Sequence, residues 1–152
     1  MEDVRIRNVK DEDIAFIYAT WLRSYRESGI LPKRVRKHIF FTAYGMILDN
    51  LLTAKNTQII IACRPEDEDT ILGYIVFEKQ ILHYIYVKEL FQGYKIGNEL
   101  YKAAFPKPPT DIYITAMTDT DNAQGFIKSK PQFIYDPFIL FNKGETNGKS
   151  TG

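Results

Sequence analysis

Residues 83–105, HYIYVKELFQGYKIGNELYKAAF, decide the fold. An apolar strand runs through a short polar turn into a glycine-containing loop, and that loop opens a helix with Ile96, Leu100 and Ala104 on one side. A helix N-terminus presents four backbone N–H groups without intrahelical partners, together with the positive end of the macrodipole. It therefore suits an anion such as phosphate wherever neighbouring backbone can come close. Gly93 and Gly97 permit that approach. A glycine turn after a strand is also an ordinary strand-to-helix connection, so the rest of the chain has to separate the two readings.

Upstream, the apolar runs TQIIIAC (57–63), ILGYIVF (71–77) and ILHYIYV (81–87) are separated only by the acidic turn PEDED and the polar break EKQ. Connections this short join antiparallel strands, here buried on both faces. Before them, VRIRNV (4–9) alternates apolar and charged residues, as a peripheral strand does. From Asp11, read as an N-cap, Ile14, Ile17, Tyr18, Trp21, Leu22 and Tyr25 recur at helical spacing until Gly29. Pro32 is read as the first residue of a second helix bearing Phe40, Tyr44, Ile47, Leu48 and Leu51.

Downstream, the breaker PKPP (106–109) ends the helix of the opening segment, and DIYITAM (111–117) reads as a strand. Strand, helix and strand in succession imply a right-handed parallel crossover. Asp121 with Gln124 resembles a capping box for a short helix. QFIYDPFILF (132–141) reads as a last strand pair or bulged strand, which Pro137 confines to an edge or a bulge. The result is an α/β (α+β) domain over 1–141, ordered β-α-α-β-β-β-α-β-α-β around a mixed, mostly antiparallel sheet. Residues 142–152 read as a disordered tail.

The chain has 152 residues, enough for one well-buried core, and its net charge of +1 argues against a protein devoted to neutralising a phosphate backbone. Its single cysteine, Cys63, sits in an apolar run and is expected to be a buried thiol. The N-terminus lacks the apolar stretch of a signal peptide, and no window approaches the ~18 apolar residues that span a bilayer. A cytoplasmic location without membrane contact is expected, and no metal site is read.

This order of elements, with a glycine loop after the fourth strand, resembles the GNAT superfamily of acyl-CoA N-acyltransferases. The loop pattern Gln/Arg-x-x-Gly-x-Gly/Ala falls on Gln92, Gly93, Tyr94, Lys95, Ile96 and Gly97. The phrases WLRSYRES and LHYIYVKELFQG are also similar to GNAT-type domains of tailed bacteriophages. The resemblance implies that acetyl-CoA binds in a gap between the fourth and fifth strands. Ile85, Tyr86 and Val87 would contact its pantetheine arm, and Gln92 through Asn98 would cradle its pyrophosphate. Asn122 matches a position that often contacts the cofactor, although a plain helix-start role fits it equally.

Two departures from the pattern matter. Lys95 replaces the first motif glycine; a left-handed backbone there costs roughly 1–2 kcal/mol, while its ammonium offers a charge-assisted contact to phosphate. The segment DNAQGFIKSK lacks the tyrosine that many members use to protonate the departing thiolate. Tyr135 or water would take that role. His83, with an ordinary pKa of about 6.5, is the first candidate to deprotonate the amine, and Glu78 the second; the alternative is a core histidine. The backbone N–H of Val87 would stabilise the oxyanion. Tyr84 and Tyr86 are expected on the sheet face opposite His83 if the strand is regular.

The basic run KRVRKH (33–38) reads either as a solvated face or, with Arg23 and Arg26, as part of an anionic acceptor's site. Tyr25, Arg26 and Tyr84 are the candidate acceptor residues. The expected activity is direct transfer of an acetyl group to a small-molecule or peptide amine, by a monomer or homodimer. The rival is a non-catalytic CoA-binding or protein-interaction module, with nucleic-acid association as a minor variant.

Overall fold

The computed structural model describes residues 4–92, 95–130 and 132–141. Ten elements follow in the expected order: β1 (Arg5–Asn8), α1 (Ile14–Ser28), α2 (Lys37–Thr53), β2 (Gln58–Arg64), β3 (Asp67–Glu78), β4 (Ile81–Val87), α3 (Ile96–Ala104), β5 (Ile112–Ile114), α4 (Asp121–Lys128) and β6 (Phe133–Tyr135). The six strands lie in sequence order in one sheet. β1 to β4 pair antiparallel, and β5 and β6 add parallel to β4 and to each other. Each face is covered by helices. α1 and α2 bury Ile17, Trp21, Tyr25 and Leu48 against Ile61, Tyr74, Val76 and Tyr84, whereas α3 sets Ile96 and Leu100 against Leu72, Ile75 and Ile112. Cys63 is fully buried in the first cluster.

Boundaries shift where tertiary contacts override local signals. β3 begins at Asp67, inside the stretch read as a turn, because Arg7 donates to the Glu68 carbonyl and Lys10 pairs with the Glu68 carboxylate. Pro32 opens a separate 3₁₀ turn; the extended Val35 interrupts the path, and α2 starts at Lys37. Asp11 lies in a 3₁₀ turn before α1, and it is Asp13 that accepts from the Lys10 N–H at 2.7 Å. Thr120, not Asp121, caps α4 by accepting from the Ala123 N–H, while Gln124 donates to the Thr118 carbonyl. β6 is the edge strand that Pro137 implied, but pairing stops at Tyr135. Residues 142–152 lie outside the described residues.

Gly73 marks a close approach that no local pattern signals. A Cβ there would stand 2.5 Å from the Tyr86 carbonyl oxygen and 3.3 Å from the Val87 Cα, both backbone atoms of β4. Gly73→Ala is therefore expected to cost about 1–3 kcal/mol as β4 is forced aside. That corresponds to roughly 2–4 °C per kcal/mol in a chain of this size, read from thermal unfolding. An unchanged midpoint would refute the close approach.

Candidate functional site

β4 and β5 pair only at Ile81 with Tyr113 and Leu82 with Ile114. Their last shared bond is the Thr115 N–H to the Leu82 carbonyl. Beyond it β4 continues along β3, while the chain after β5 turns to the α1–α2 connection. There the Ile30 N–H donates to Met117 O, the Asp119 N–H donates to Ser28 O, Gly29 bridges Thr118, and Lys33 pairs with Asp119. This exchange of partners explains why the expected strand over 111–117 ends at Ile114. The diverging segments open a cleft of about 450 Å³.

Val87 faces this gap with its backbone. The Lys88 N–H is donated back to Leu72 of β3 at 2.8 Å, so alternation turns the N–H and C=O of Val87 the other way. Gln92 Nε2 already donates to that carbonyl at 3.1 Å, and Asn122 Nδ2 donates to Gln92 Oε1 at 3.2 Å, tying the start of α4 to the loop before α3. Lys95 at the N-cap of α3 has φ 65° and ψ 14°, the left-handed conformation that the glycine pattern suggested. A side chain at Gly97 would meet nothing within 4 Å, so the first turn of α3 is open toward the cleft. Ile85, Tyr86, Val87, Gln92, Lys95, Ile96, Gly97, Asn98 and Asn122 all line it. Gly93 and Tyr94 lie outside the described residues.

The apex of the gap holds a buried polar chain. His83 Nε2 lies 2.7 Å from Glu78 Oε2, and His83 Nδ1 lies 2.9 Å from Thr115 Oγ1. His83 is 0%, Thr115 1% and Glu78 6% exposed. With Glu78 ionised, Nε2–H donates to it and Nδ1 accepts the threonine hydroxyl. The strand is not regular here. Val76 pairs with Tyr84 but Phe77 with Leu82, leaving His83 as an extra residue, so alternation does not place it opposite Tyr84 and Tyr86 as expected.

The remaining candidates divide. Tyr84 lines the cleft, stacks on Trp21 with centroids 4.9 Å apart, and has its hydroxyl 2.7 Å from Ser24 Oγ; burial pushes its phenol well above the usual range. Tyr25 is core, and burial raises the phenols of both Tyr25 and Tyr135. Neither Tyr25, Tyr135 nor Arg26 is among the lining residues. Ser24, Ser28, Thr118 and Thr120 do line the cleft and were missed. Ser24 and Ser28 border the aromatic stripe of α1 one turn apart, which was the only signal available.

No family model and no curated protein matches this sequence. Solved structures share its fold. A proposed acetyl transferase from Pyrococcus furiosus superposes with a TM-score of 0.61 at 15% identity, covering 84% of this chain and 92% of that one. A GNAT family acetyltransferase from Brucella melitensis in complex with acetyl-CoA gives 0.53 at 21% identity, with 83% and 82% covered. A transcriptional regulator from Bacillus halodurans gives 0.51 at 18%, with 84% and 91% covered. The mixed sheet flanked by helices is thus the fold of GNAT acetyltransferases. No helix among the described residues is long and apolar enough to cross a membrane.

Proposed function

We propose that this domain transfers an acetyl group from acetyl-CoA to an amine by direct attack. The observation that carries the reading is the gap between β4 and β5, with the Val87 N–H turned into it and the N-terminus of α3 open beside Lys95 and Gly97. An extended pantetheine arm would lie along Ile85–Val87, and its pyrophosphate would meet the α3 amides and the Lys95 ammonium. The amine nitrogen forms the new C–N bond, the Val87 N–H faces the developing oxyanion, and the C–S bond breaks to release a thiolate that water protonates. Thermal shift with acetyl-CoA, CoA and an adenosine control tests the reading. Saturation at 100 times the dissociation constant adds about 2.7 kcal/mol to stability. No shift with either CoA ligand would end it.

Deprotonation of the amine falls to His83, which lines the cleft and whose ring nitrogens are held by Glu78 and Thr115. His83→Gln is expected to lower the rate at neutral pH by up to about 10²-fold, with recovery at high pH and unchanged acetyl-CoA affinity. A folded variant with an unaltered pH–rate profile would reduce the trio to a rivet between the strands. The left-handed Lys95 favours a second reading, a domain that binds CoA without turnover. Lys95→Gly relieves strain of roughly 1–2 kcal/mol, partly offset by the greater freedom of glycine in the unfolded chain. It is expected to unfold at slightly higher urea yet bind acetyl-CoA more weakly, most visibly at low salt. Tighter binding would show the lysine to be a defect.

A further inference from the structure

We infer that the α1–α2 connection is a docking lip for an acidic protein segment that carries the acceptor amine. The inference takes the amine's fate from the acyl-transfer reading, but the docking stands on the surface itself. Ser28 lines the cleft, and immediately beyond it Ile30 and Leu31 are 44% and 52% exposed. Lys33, Arg34, Arg36 and Lys37 follow, all exposed. Lys33 is engaged by Asp119 and Lys37 lies over the Phe41 ring, whereas Arg34 and Arg36 have no ion-pair partner among the described residues. Local stability does not account for these charges: the first turn of α2 holds no acidic residue, and cations there oppose the helix dipole.

The cleft continues the same sign. None of its described lining residues is Asp or Glu, and Lys95 is among them. A free amine, protonated in solution, is repelled on approach to such a mouth, whereas an amine flanked by carboxylates is drawn in. The exposed Ile30 and Leu31 add an apolar contact that a peptide side chain can use. The exposed apolar residues of this lip are aliphatic, so a single-stranded nucleic acid would find no stacking platform on them.

The test is fluorescence anisotropy with the full chain and no CoA. The probes are a labelled 12-residue peptide of Glu, Leu and one Lys, a control with Gln in place of Glu, and a single-stranded oligonucleotide of matching charge. The acidic peptide should bind at least about 10-fold more tightly than the control at low salt, the difference shrinking as salt rises. Arg34→Glu with Arg36→Glu should abolish that preference, and Ile30→Ser with Leu31→Ser should weaken binding several-fold, with the acetyl-CoA thermal shift intact in both variants. Equal binding of the two peptides, indifference to the arginine reversals, or tighter binding of the oligonucleotide would each overturn the proposal. Peptide docking without any acetyl-CoA shift in the parent chain would uphold the lip and reject acyl transfer, so the two failures are distinct.

Discussion

Gly97→Glu is expected to abolish measurable acetyl-CoA binding, a loss of at least about 10³-fold or roughly 4 kcal/mol. The position has open space in front of it and borders the cleft in the first turn of α3, so the new carboxylate enters the volume assigned to the pyrophosphate. Like charges at that range cost several kcal/mol when partly shielded from water. Gly97→Ala is the control: its Cβ meets nothing within 4 Å, and both fold and affinity should survive. A folded Gly97→Glu protein with parental affinity, measured by calorimetry, would place the ligand elsewhere.

Asp13→Ala is expected to remove about 3–5 kcal/mol of folding stability, the usual result of stripping one partner from a buried ion pair. Arg7 donates to Asp13 at 2.8 and 3.1 Å, and the two side chains are only 7% and 8% exposed. Burial is the largest single influence on Asp13 and raises its pKa. The Arg7 hydrogen bonds, the Lys10 N–H and the nearby positive charges together outweigh burial and hold the carboxyl below its usual range. A depressed pKa contributes stability that is present above the unfolded value, about 3.9, and is lost as pH falls through the folded value. Urea midpoints followed from pH 7 downward should decline through this range in the parent, with a shallower slope in Asp13→Asn. Parallel slopes would show that other carboxylates govern acid unfolding.

What could be read from the residues alone was whatever repeats locally. The stripe Ile17, Trp21, Leu22, Tyr25 and the runs at 57–63, 71–77 and 81–87 declare helix and strand by their own spacing, and the order of elements follows from short connections. The site's own motif lay on its loop side, where Gln92 through Gly97 carry a pattern, while Ile85, Tyr86, Val87 and Asn122, which line the cleft, came only through the resemblance. Non-local features left no trace. The extra residue at His83 exists because Val76 and Phe77 choose Tyr84 and Leu82, and the truncation of β5 depends on Ser28 and Ile30, some ninety residues earlier. Gly73 looks like any strand glycine until β4 is laid beside it.

The partner exchange after Ile114 bears on what a ligand would have to do on arrival. A split between two parallel strands exposes unpaired backbone groups on both sides, and two such edges would ordinarily zip together. Here one edge is not available for zipping: Met117 and Asp119 have already given their carbonyl and N–H to Ile30 and Ser28. The wedge is propped from outside, and closing it would forfeit hydrogen bonds rather than gain them. An incoming extended chain therefore inherits the exposed β4 backbone without first prising two strands apart, so that the affinity of the gap is spent on the guest alone.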